Sequence, residues 1–312
     1  MRTICLNQGP FQLSESVATI GVFDGVHAGH QLLIRMVREE ARSRGLCPMV
    51  ITFDRQPRQV LDPTFRPQVL TTLEEKEAII ASLGVETLVV LPFTKELAAL
   101  TAHDFMQQVL RQQLHVQTLI TGYDNRFGRN RAEGFDDYVR YGQELGMQVL
   151  RGDKELMADG SCAVSSSVIR QLLAEEGRVD LMPQCLTRQY QLSGQVMPGE
   201  HIGHQLGFPT ANLELLCADK LIPAAGVYAV WTMIGKDQQK RAAMMNIGTR
   251  PTFEGKGQTL EVNILDFDDD LYGQRVDILF VQRLREERRF DSPEALVAQL
   301  QEDKKQVKDI LR

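Results

Sequence analysis

The feature that most constrains the fold is the alternation of apolar and amphipathic segments along the first half of the chain. Short apolar runs are typical of buried strands, and the segments between them carry apolar residues at helical spacing. Strands separated by helices indicate right-handed βαβ units and an open parallel sheet. The predicted strands cover 17–23, 48–53, 87–91, 116–121 and 147–150, and the predicted helices cover 31–43, 73–83, 102–114 and 135–145.

The pattern changes after about residue 182. Predicted strands at 190–196, 227–234, 242–247, 259–267 and 276–282 are separated by turn residues rather than helices, which indicates an antiparallel barrel or sandwich. A last helix is predicted from its N-cap Ser292 and Pro293 towards Leu311. At 312 residues the chain can hold two domains, and we predict them at 1–182 and 183–312.

Composition excludes several classes of protein. The formal net charge of −6 gives no general attraction to nucleic acid or to an anionic membrane. The five cysteines are scattered and form no C-x-x-C pair, so we expect neither a disulfide framework nor a zinc site. Because no apolar run approaches membrane-spanning length and the N-terminus has no signal-like segment, we expect a cytoplasmic protein. The oligomeric state is not indicated.

The stretch GVFDGVHAGH at 21–30 joins a predicted strand to a predicted helix. Ligands of parallel sheets bind at the carboxyl ends of the strands, and a turn of small residues lets backbone N–H groups approach a phosphate. Two imidazoles flank Gly29 and could donate to a polyphosphate as charge develops on it, which suits nucleotidyl transfer. Two histidines three residues apart make a poor zinc site. The alternative is a tight turn with capping histidines.

This motif and three later ones resemble a known family. TFDRQPRQVL at 52–61, GYDNRFGRNRAEG at 122–134 and VSSSVIR at 164–170 follow GVFDGVHAGH in the order found in prokaryotic bifunctional riboflavin kinase/FMN adenylyltransferases, also called FAD synthetases. The resemblance implies a Rossmann-like nucleotidyltransferase domain. That domain would transfer AMP from ATP to the phosphate of FMN and release pyrophosphate.

The resemblance also implies roles for individual residues. His27 and His30 would be catalytic, binding the ATP phosphates and stabilising the transition state. The ATP side would include Gly21, Phe23, Asp24, Gly29, Ser165, Ser166 and Arg170. The flavin side would include Asp124, Asn125 and Phe127. Without this context, the serine segment predicts only a helix N-cap.

The second half resembles the riboflavin kinase domain, a six-stranded antiparallel barrel. The matching segments are GFPTAN, GVYAVW, MNIGTRPTF, LEVNILDF and DLYGQRV. A hydroxyl and an amide oxygen two residues apart on an extended segment suit Mg²⁺, and the resemblance makes Thr210 and Asn212 the metal ligands of Mg²⁺–ATP. It makes Glu261 the catalytic base for the riboflavin hydroxyl. It places Gly203 and Asn246 at the ATP and Arg285 and Phe290 at the flavin.

Glu261 also has a plainer interpretation. It alternates with Leu260 and Val262, so a core position for those two residues would make Glu261 a surface carboxylate. The chain departs from the family pattern at Gln56, Pro198 and His204, where histidine, histidine and arginine are usual.

Three hypotheses follow. The favoured one is a bifunctional enzyme that uses riboflavin, FMN and ATP as small-molecule substrates, with Mg²⁺. In the second, the nucleotidyltransferase acts on pantetheine phosphate, nicotinate mononucleotide or glycerol phosphate, whose enzymes share the H-x-G-H motif. The third is a flavin-binding protein with a decayed site.

Overall fold

A computed structural model describes residues 1–6, 12–158, 160, 163–198, 207–252, 255–267 and 269–312, with the side chains of 249–252 and 255–257 outside the description. The chain forms two compact units, Met1–Ser166 and Ser167–Arg312. The predicted domain boundary at 182 stays a prediction.

The first unit contains a six-stranded sheet in which all neighbouring strands are parallel. Its strands are β1 Arg2–Cys5, β2 Ser16–Ile20, β3 Cys47–Phe53, β4 Thr87–Leu91, β5 Val116–Thr121 and β6 Gln148–Arg151. They lie in the order β1-β4-β3-β2-β5-β6. The predicted parallel sheet is therefore confirmed, with β1 added at one edge.

Helices connect these strands. They are α1 Ala28–Arg44, α2 Pro57–Leu61, α3 Leu73–Ser82, α4 Lys95–Ala99, α5 Ala102–Asp104 and α6 Phe135–Leu145, and a π-helix over Phe105–Gln113 continues α5. Local chemistry sets several ends: the Thr72 side chain and Glu75 form a capping box at the start of α3, and α1 ends at Gly45 with φ 67°.

Alternate residues of the strands pack into two hydrophobic clusters, one on each face of the sheet. One cluster joins Ala18, Ile20 and Ile51 to the segment from Ala102 to Leu114. The other joins residues from the opposite side of the same strands to α1 and α3. β2 is buried along its whole length, as expected for a central strand covered by helices on both sides.

The strand order places a switch point at β2. From β2 the chain moves to β3 and β4 on one side and later to β5 and β6 on the other. The connections leaving β2 and β5 therefore diverge and open a crevice at the carboxyl ends of these strands. The turn after β2 begins at Gly21, the first residue of the histidine motif.

The second unit begins with the helices α7 Ser166–Ala174, whose first residue closes the first unit, and α8 Met182–Leu186, and continues as a closed antiparallel barrel. Its strands are β7 Gln191–Met197, β8 Ala211–Leu215, β9 Gly226–Ile234, β10 Arg241–Thr252, β11 Gly255–Ile264 and β12 Arg275–Arg285, in the order β10-β11-β8-β7-β12-β9. The six-stranded barrel implied by the family resemblance is confirmed.

The C-terminal helix α9, Pro293–Ile310, covers part of the barrel's outer surface. It lies against β9 and β10, where Val307 joins a cluster with Ala229 and Met244. Because side chains alternate along a strand, Tyr228 and Val230 on β9 point to the opposite, interior side, where Tyr228 packs edge-on against Phe280. The predicted C-terminal helix and its Ser292 cap are confirmed.

Candidate active sites

The histidine motif forms a strained turn between β2 and α1. Phe23, Gly25 and Val26 have left-handed φ values of 50°, 82° and 38°. Glycine tolerates this conformation, whereas a phenylalanine and a β-branched valine each lose about 1–3 kcal/mol by adopting it. Such a turn persists only where its surroundings hold it, and strain of this kind is common at active sites.

The turn stacks the two predicted catalytic histidines. The ring centroids of His27 and His30 are 3.6 Å apart, and the ring planes make an angle of 22°. His27 caps α1, because its Nδ1 accepts the backbone N–H of His30 at 3.3 Å. The neutral His27 ring therefore carries its proton on Nε2. Gly29 leaves room for this arrangement, since a Cβ there would lie 3.3 Å from the His27 ring.

His30 is held neutral by its surroundings. Burial, followed by the neighbouring His27 and Lys76, lowers the pKa of His30 well below its ordinary value of 6.5. The His30 Nδ1 is buried and has no hydrogen-bond partner among the residues that the structure describes. The uncharged His30 imidazole therefore lies at the N-terminus of α1, where the helix dipole favours an anion.

Asp24 supports the turn from inside. Its carboxylate, on a residue that is only 4% exposed, accepts hydrogen bonds from the backbone N–H groups of Leu70 and Thr71 at 2.9 and 3.1 Å. The Thr71 hydroxyl in turn accepts the backbone N–H of Gly25 at 3.0 Å. These bonds connect the segment before α3 to the histidine turn. The ATP-binding role of Asp24 stays a prediction beside this structural one.

Thr71 and Lys76 are residues of this site that the sequence reasoning missed. Lys76 is 6% exposed, and its Nζ donates to the Thr52 hydroxyl at 3.2 Å. It lies within LEEKE, a charged helix start in which solvated side chains are the usual expectation. The capping box that locates α3 was the available signal, because it places Lys76 in a fixed turn of that helix.

The loop after β5 reaches the same crevice. The Asn125 amide donates to the carbonyl of Ile20, the last residue of β2, at 2.6 Å. Asp124 is exposed beside it. Phe127 turns away into the core, where its ring stacks on Tyr138 with centroids 4.1 Å apart. The structure thus brings Asn125 to the histidine turn and gives Phe127 a packing role, while their flavin contacts stay predictions.

The serine segment also approaches the turn. The Ser166 hydroxyl donates to the backbone carbonyl of Asp24 at 2.8 Å. A Cβ on Gly29 would lie 3.4 Å from the carbonyl oxygen of Val164. Ser165 is half-buried just before α7, and Arg170 is a half-buried residue of α7 assigned to the second unit. Their contacts with phosphates stay predictions.

In the barrel, three predicted residues stand side by side on neighbouring strands. Glu261 of β11 is directly opposite Asn212 of β8 and Asn246 of β10. Directly opposed residues of antiparallel strands project to the same face, so these side chains form one polar row. The face is the outer one, because the intervening Leu260 and Val262 are buried on the interior side.

Although Glu261 projects from the outer face of the barrel, it lines a pocket that other elements cover. A cavity of about 330 Å³ lies between this face, the segment after β12 and α9. Its lining includes Thr210, Asn246, Glu261, Arg285, Phe290 and Leu300. The surface interpretation of Glu261 was drawn from the strand alternation alone, which does not show that α9 covers this side.

Asn263 is a further residue of this site that the sequence reasoning missed. It is 7% exposed, lies two positions after Glu261 on the same face of β11, and lines the cavity. Its amide donates to the carbonyl of Pro209 at 2.6 Å and so fixes the approach of Thr210. The period-two spacing from Glu261 was the signal that could have identified it.

Arg285 is engaged by the C-terminal helix. Its guanidinium makes a forked contact with the carboxylate of Asp303, with distances from 2.7 to 3.1 Å. Asp303 is 1% exposed and also accepts from Gln299 at 2.7 Å. The Arg285 guanidinium lies 5.7 Å from the centre of the Phe290 ring. Both predicted flavin residues therefore line the cavity, and Arg285 ties β12 to α9.

Gly203 and His204 lie outside the described residues. Within the described ranges, no group of three or more histidine, cysteine, aspartate or glutamate side chains could hold a metal ion. The same part of the chain contains no helix long and apolar enough to cross a membrane.

Comparisons with known proteins identify the family of both units. A sequence model of the FAD synthetase family matches residues 10–168, and one of the riboflavin kinase family matches residues 186–311. Similar curated proteins are named bifunctional riboflavin kinase/FMN adenylyltransferase. That of Escherichia coli K12 is 37% identical, covering 92% of this chain and 90% of its own length. That of Pseudomonas fluorescens is 39% identical with the same coverage, and that of Listeria monocytogenes is 35% identical over 97% and 96%.

A solved structure shares the whole fold. A crystal structure described as a macrolide-efflux protein from Streptococcus pneumoniae superposes with a TM-score of 0.89, at 32% identity, and the match covers 98% of both chains. The chain belongs to the family of bifunctional riboflavin kinase/FMN adenylyltransferases, with an FAD synthetase domain followed by a riboflavin kinase domain.

Proposed function

We propose that this chain phosphorylates riboflavin to FMN with ATP and then transfers AMP from a second ATP to FMN, which gives FAD and pyrophosphate. The observation that carries the proposal is the presence of two built sites in one chain, each inside the matching family domain. The stacked histidines occupy the switch point of the sheet, and Glu261 and Asn246 line the cavity of the barrel, with Asn212 directly opposite Glu261 on the next strand.

In the first site, adenylyl transfer requires that the two substrates be positioned for attack and that the charge developing on the phosphates be stabilised. The FMN phosphate attacks the α-phosphorus of ATP, and negative charge grows on the departing pyrophosphate. His27 and His30 donate N–H groups to those phosphates, and the N-terminus of α1 adds its partial positive charge. Ser165, Ser166 and Arg170 assist at the β- and γ-phosphates, and Asn125 lies on the flavin side.

In the second site, the ribityl hydroxyl of riboflavin attacks the γ-phosphorus of ATP, the bond from that phosphorus to the β,γ-bridging oxygen breaks, and ADP leaves. Glu261 accepts the proton of that hydroxyl and orients it, which suits a weak base. Thr210 and Asn212 supply hard oxygen ligands beside Glu261, and this donor set fits Mg²⁺. The ion would neutralise charge on the ATP phosphates.

The test is direct. Purified protein incubated with riboflavin, ATP and Mg²⁺ should yield FMN first and FAD afterwards, separated by chromatography. Removing divalent metal with EDTA should stop phosphorylation, and added Mg²⁺ should restore it. Absence of both flavin products from an active, folded preparation would overturn the proposal. Preference for pantetheine phosphate or nicotinate mononucleotide over FMN would favour the second hypothesis.

A further inference from the structure

Lys76 is a buried cation directly behind the histidine turn. It is 6% exposed and lies on α3, which packs against the short turn that contains Asp24. A lysine side chain is rarely buried to this extent unless its ammonium group is paired with other polar or charged groups. Its Nζ donates to the Thr52 hydroxyl at 3.2 Å, and that hydroxyl donates to the carbonyl of Val22 at 3.2 Å. The lysine is thus joined to the backbone of the histidine motif.

The same stretch of chain holds the turn at two further points. The N–H groups of Leu70 and Thr71 bind the Asp24 carboxylate, and the Thr71 hydroxyl accepts the N–H of Gly25. Of the residues with left-handed φ, Phe23 lies between the anchors at Val22 and Asp24, Gly25 is itself anchored, and Val26 follows directly. Segment 70–76 is therefore the support that keeps the turn in its high-energy conformation.

Burial and two nearby carboxylates set the protonation of Lys76. Burial lowers its pKa from 10.5 to about 8, although Asp24 on the turn and Glu77 on the same helix favour the charged form. Lys76 is therefore mostly charged at neutral pH. Burial, then His27, then the charge of Lys76 lower the pKa of His30, in decreasing order of effect. Lys76 therefore supplies a buried positive charge behind the turn.

We propose that Lys76 is a positioning residue for adenylyl transfer: its buried ammonium group places a positive charge behind the histidine turn and, through Thr52, holds that turn in the conformation that receives the nucleotide phosphates. This inference rests on the proposed function of the first unit. Lys76 acts through His30 and the turn, so the loss of its charge changes turnover more than ATP affinity.

The experiment compares Lys76→Met, Lys76→Arg and Thr52→Val in the full chain, with Lys95→Met as a matched control that removes an exposed lysine from α4. For Lys76→Met we expect kcat for conversion of FMN to FAD to fall about tenfold or more, with KM for ATP changed less. Riboflavin phosphorylation should stay at the wild-type rate. Lys76→Arg should recover part of the loss, because it retains the charge.

A spectroscopic readout separates positioning from mere structural support. NMR titration of the histidine ring signals should show the pKa of His30 rising in Lys76→Met and staying low in Thr52→Val and Lys95→Met. Wild-type FAD synthesis in Lys76→Met would overturn the inference, and so would lost activity with an unchanged His30 titration. If Lys76→Met does not fold, the test uses the rate of FAD synthesis by Lys76→Arg. This variant retains the positive charge, so complete loss of FAD synthesis in it would contradict the proposal. Failure of the wild-type chain to make FAD would instead remove the proposed function, and the His30 titration would still test the electrostatic link.

Discussion

At the scale of single residues, the two sites differ in which charged and uncharged side chains they contain. The adenylyl-transfer site places the uncharged imidazole of His30 in front of a buried cation, Lys76, and at a helix N-terminus. The kinase site places a carboxylate, Glu261, between two amides on neighbouring strands. The first arrangement suits stabilisation of phosphate charge, and the second suits orientation of a hydroxyl and a hard metal ion.

Replacing His30 with alanine should reduce conversion of FMN to FAD by about 10²-fold or more, because one donor to the developing charge is lost. Riboflavin phosphorylation should continue, so FMN should accumulate. Chromatography of the flavin products measures both rates in one reaction. Loss of both activities would show that the two sites depend on each other.

Replacing Asn212 with alanine should abolish most riboflavin phosphorylation, since the predicted metal ligand beside Glu261 disappears. Added FMN should still be converted to FAD. Glu214→Ala, an exposed position on the same strand, serves as the matched control. The assignment of Asn212 fails if phosphorylation by this variant equals that of the control.

The burial of Lys76 has a consequence for stability. Its pKa is lowered by burial from 10.5 to about 8, so between these values the unfolded chain holds a proton that the native chain has released. The free energy of unfolding should therefore rise with pH across this range, by up to about 3 kcal/mol relative to Lys76→Met. Urea unfolding followed by far-UV circular dichroism at pH 7.5 and 10 measures the difference. An identical pH dependence in both proteins would refute it.

At the scale of elements, the C-terminal helix turns a barrel surface into a pocket. The cavity at Glu261 exists because α9 and the segment after β12 stand over the outer face. The buried pair Arg285–Asp303 connects these two elements, at 2.7 Å. Removing one partner of a buried pair leaves the other charge without compensation.

Replacing Arg285 with methionine should therefore lower the free energy of unfolding of the second unit by about 3 kcal/mol, and riboflavin phosphorylation should fall with it. The single tryptophan, Trp231, packs against the cluster under α9, so its fluorescence reports this region. Arg275→Met, which removes an exposed arginine from the same strand, is the control. A variant as stable as the control would show that packing of α9 does not need the ion pair.

At the scale of the whole molecule, the position of the boundary between the units matters. Residues after Ser166 contact the barrel: the carbonyl of Leu173 accepts the N–H of Ala224 at 2.9 Å, and Arg283 donates to the carbonyl of Glu176 at 3.4 Å. A Cβ on Gly177 would meet the Tyr228 hydroxyl at 2.7 Å, so this contact is close. The segment from 167 to 182 therefore contributes to the second unit.

We expect a fragment of residues 167–312 to be more stable than a fragment of residues 183–312, because the shorter one exposes the barrel surface that Leu173 and Gly177 cover. Thermal unfolding of the two fragments, followed by Trp231 fluorescence, measures the difference. Equal midpoints would support the boundary at 182 that the sequence predicted.

The fold was predictable from local patterns to a large extent. Strand Thr87–Leu91 and helix Phe135–Leu145 were predicted with the observed bounds, because their apolar periodicity is regular. Two predicted strands, 17–23 and 259–267, run past the observed C-terminal ends of β2 and β11 for one physical reason. β2 ends at Ile20 before the left-handed Phe23, and β11 ends at Ile264 before the left-handed Asp266, and hydrophobicity does not report backbone conformation.

The sequence by itself determined the parallel sheet of the first half, the antiparallel strands of the second half, the histidine turn and the Thr210–Asn212 segment, since each follows from patterns of residues close together in the chain. Only the tertiary structure decided how these pieces are supported. Lys76, Thr71 and Asn263 join the sites through contacts between distant segments, and α9 covers Glu261. Burial of a charged or polar side chain is a property of its neighbours in space, so periodicity along the chain cannot reveal it.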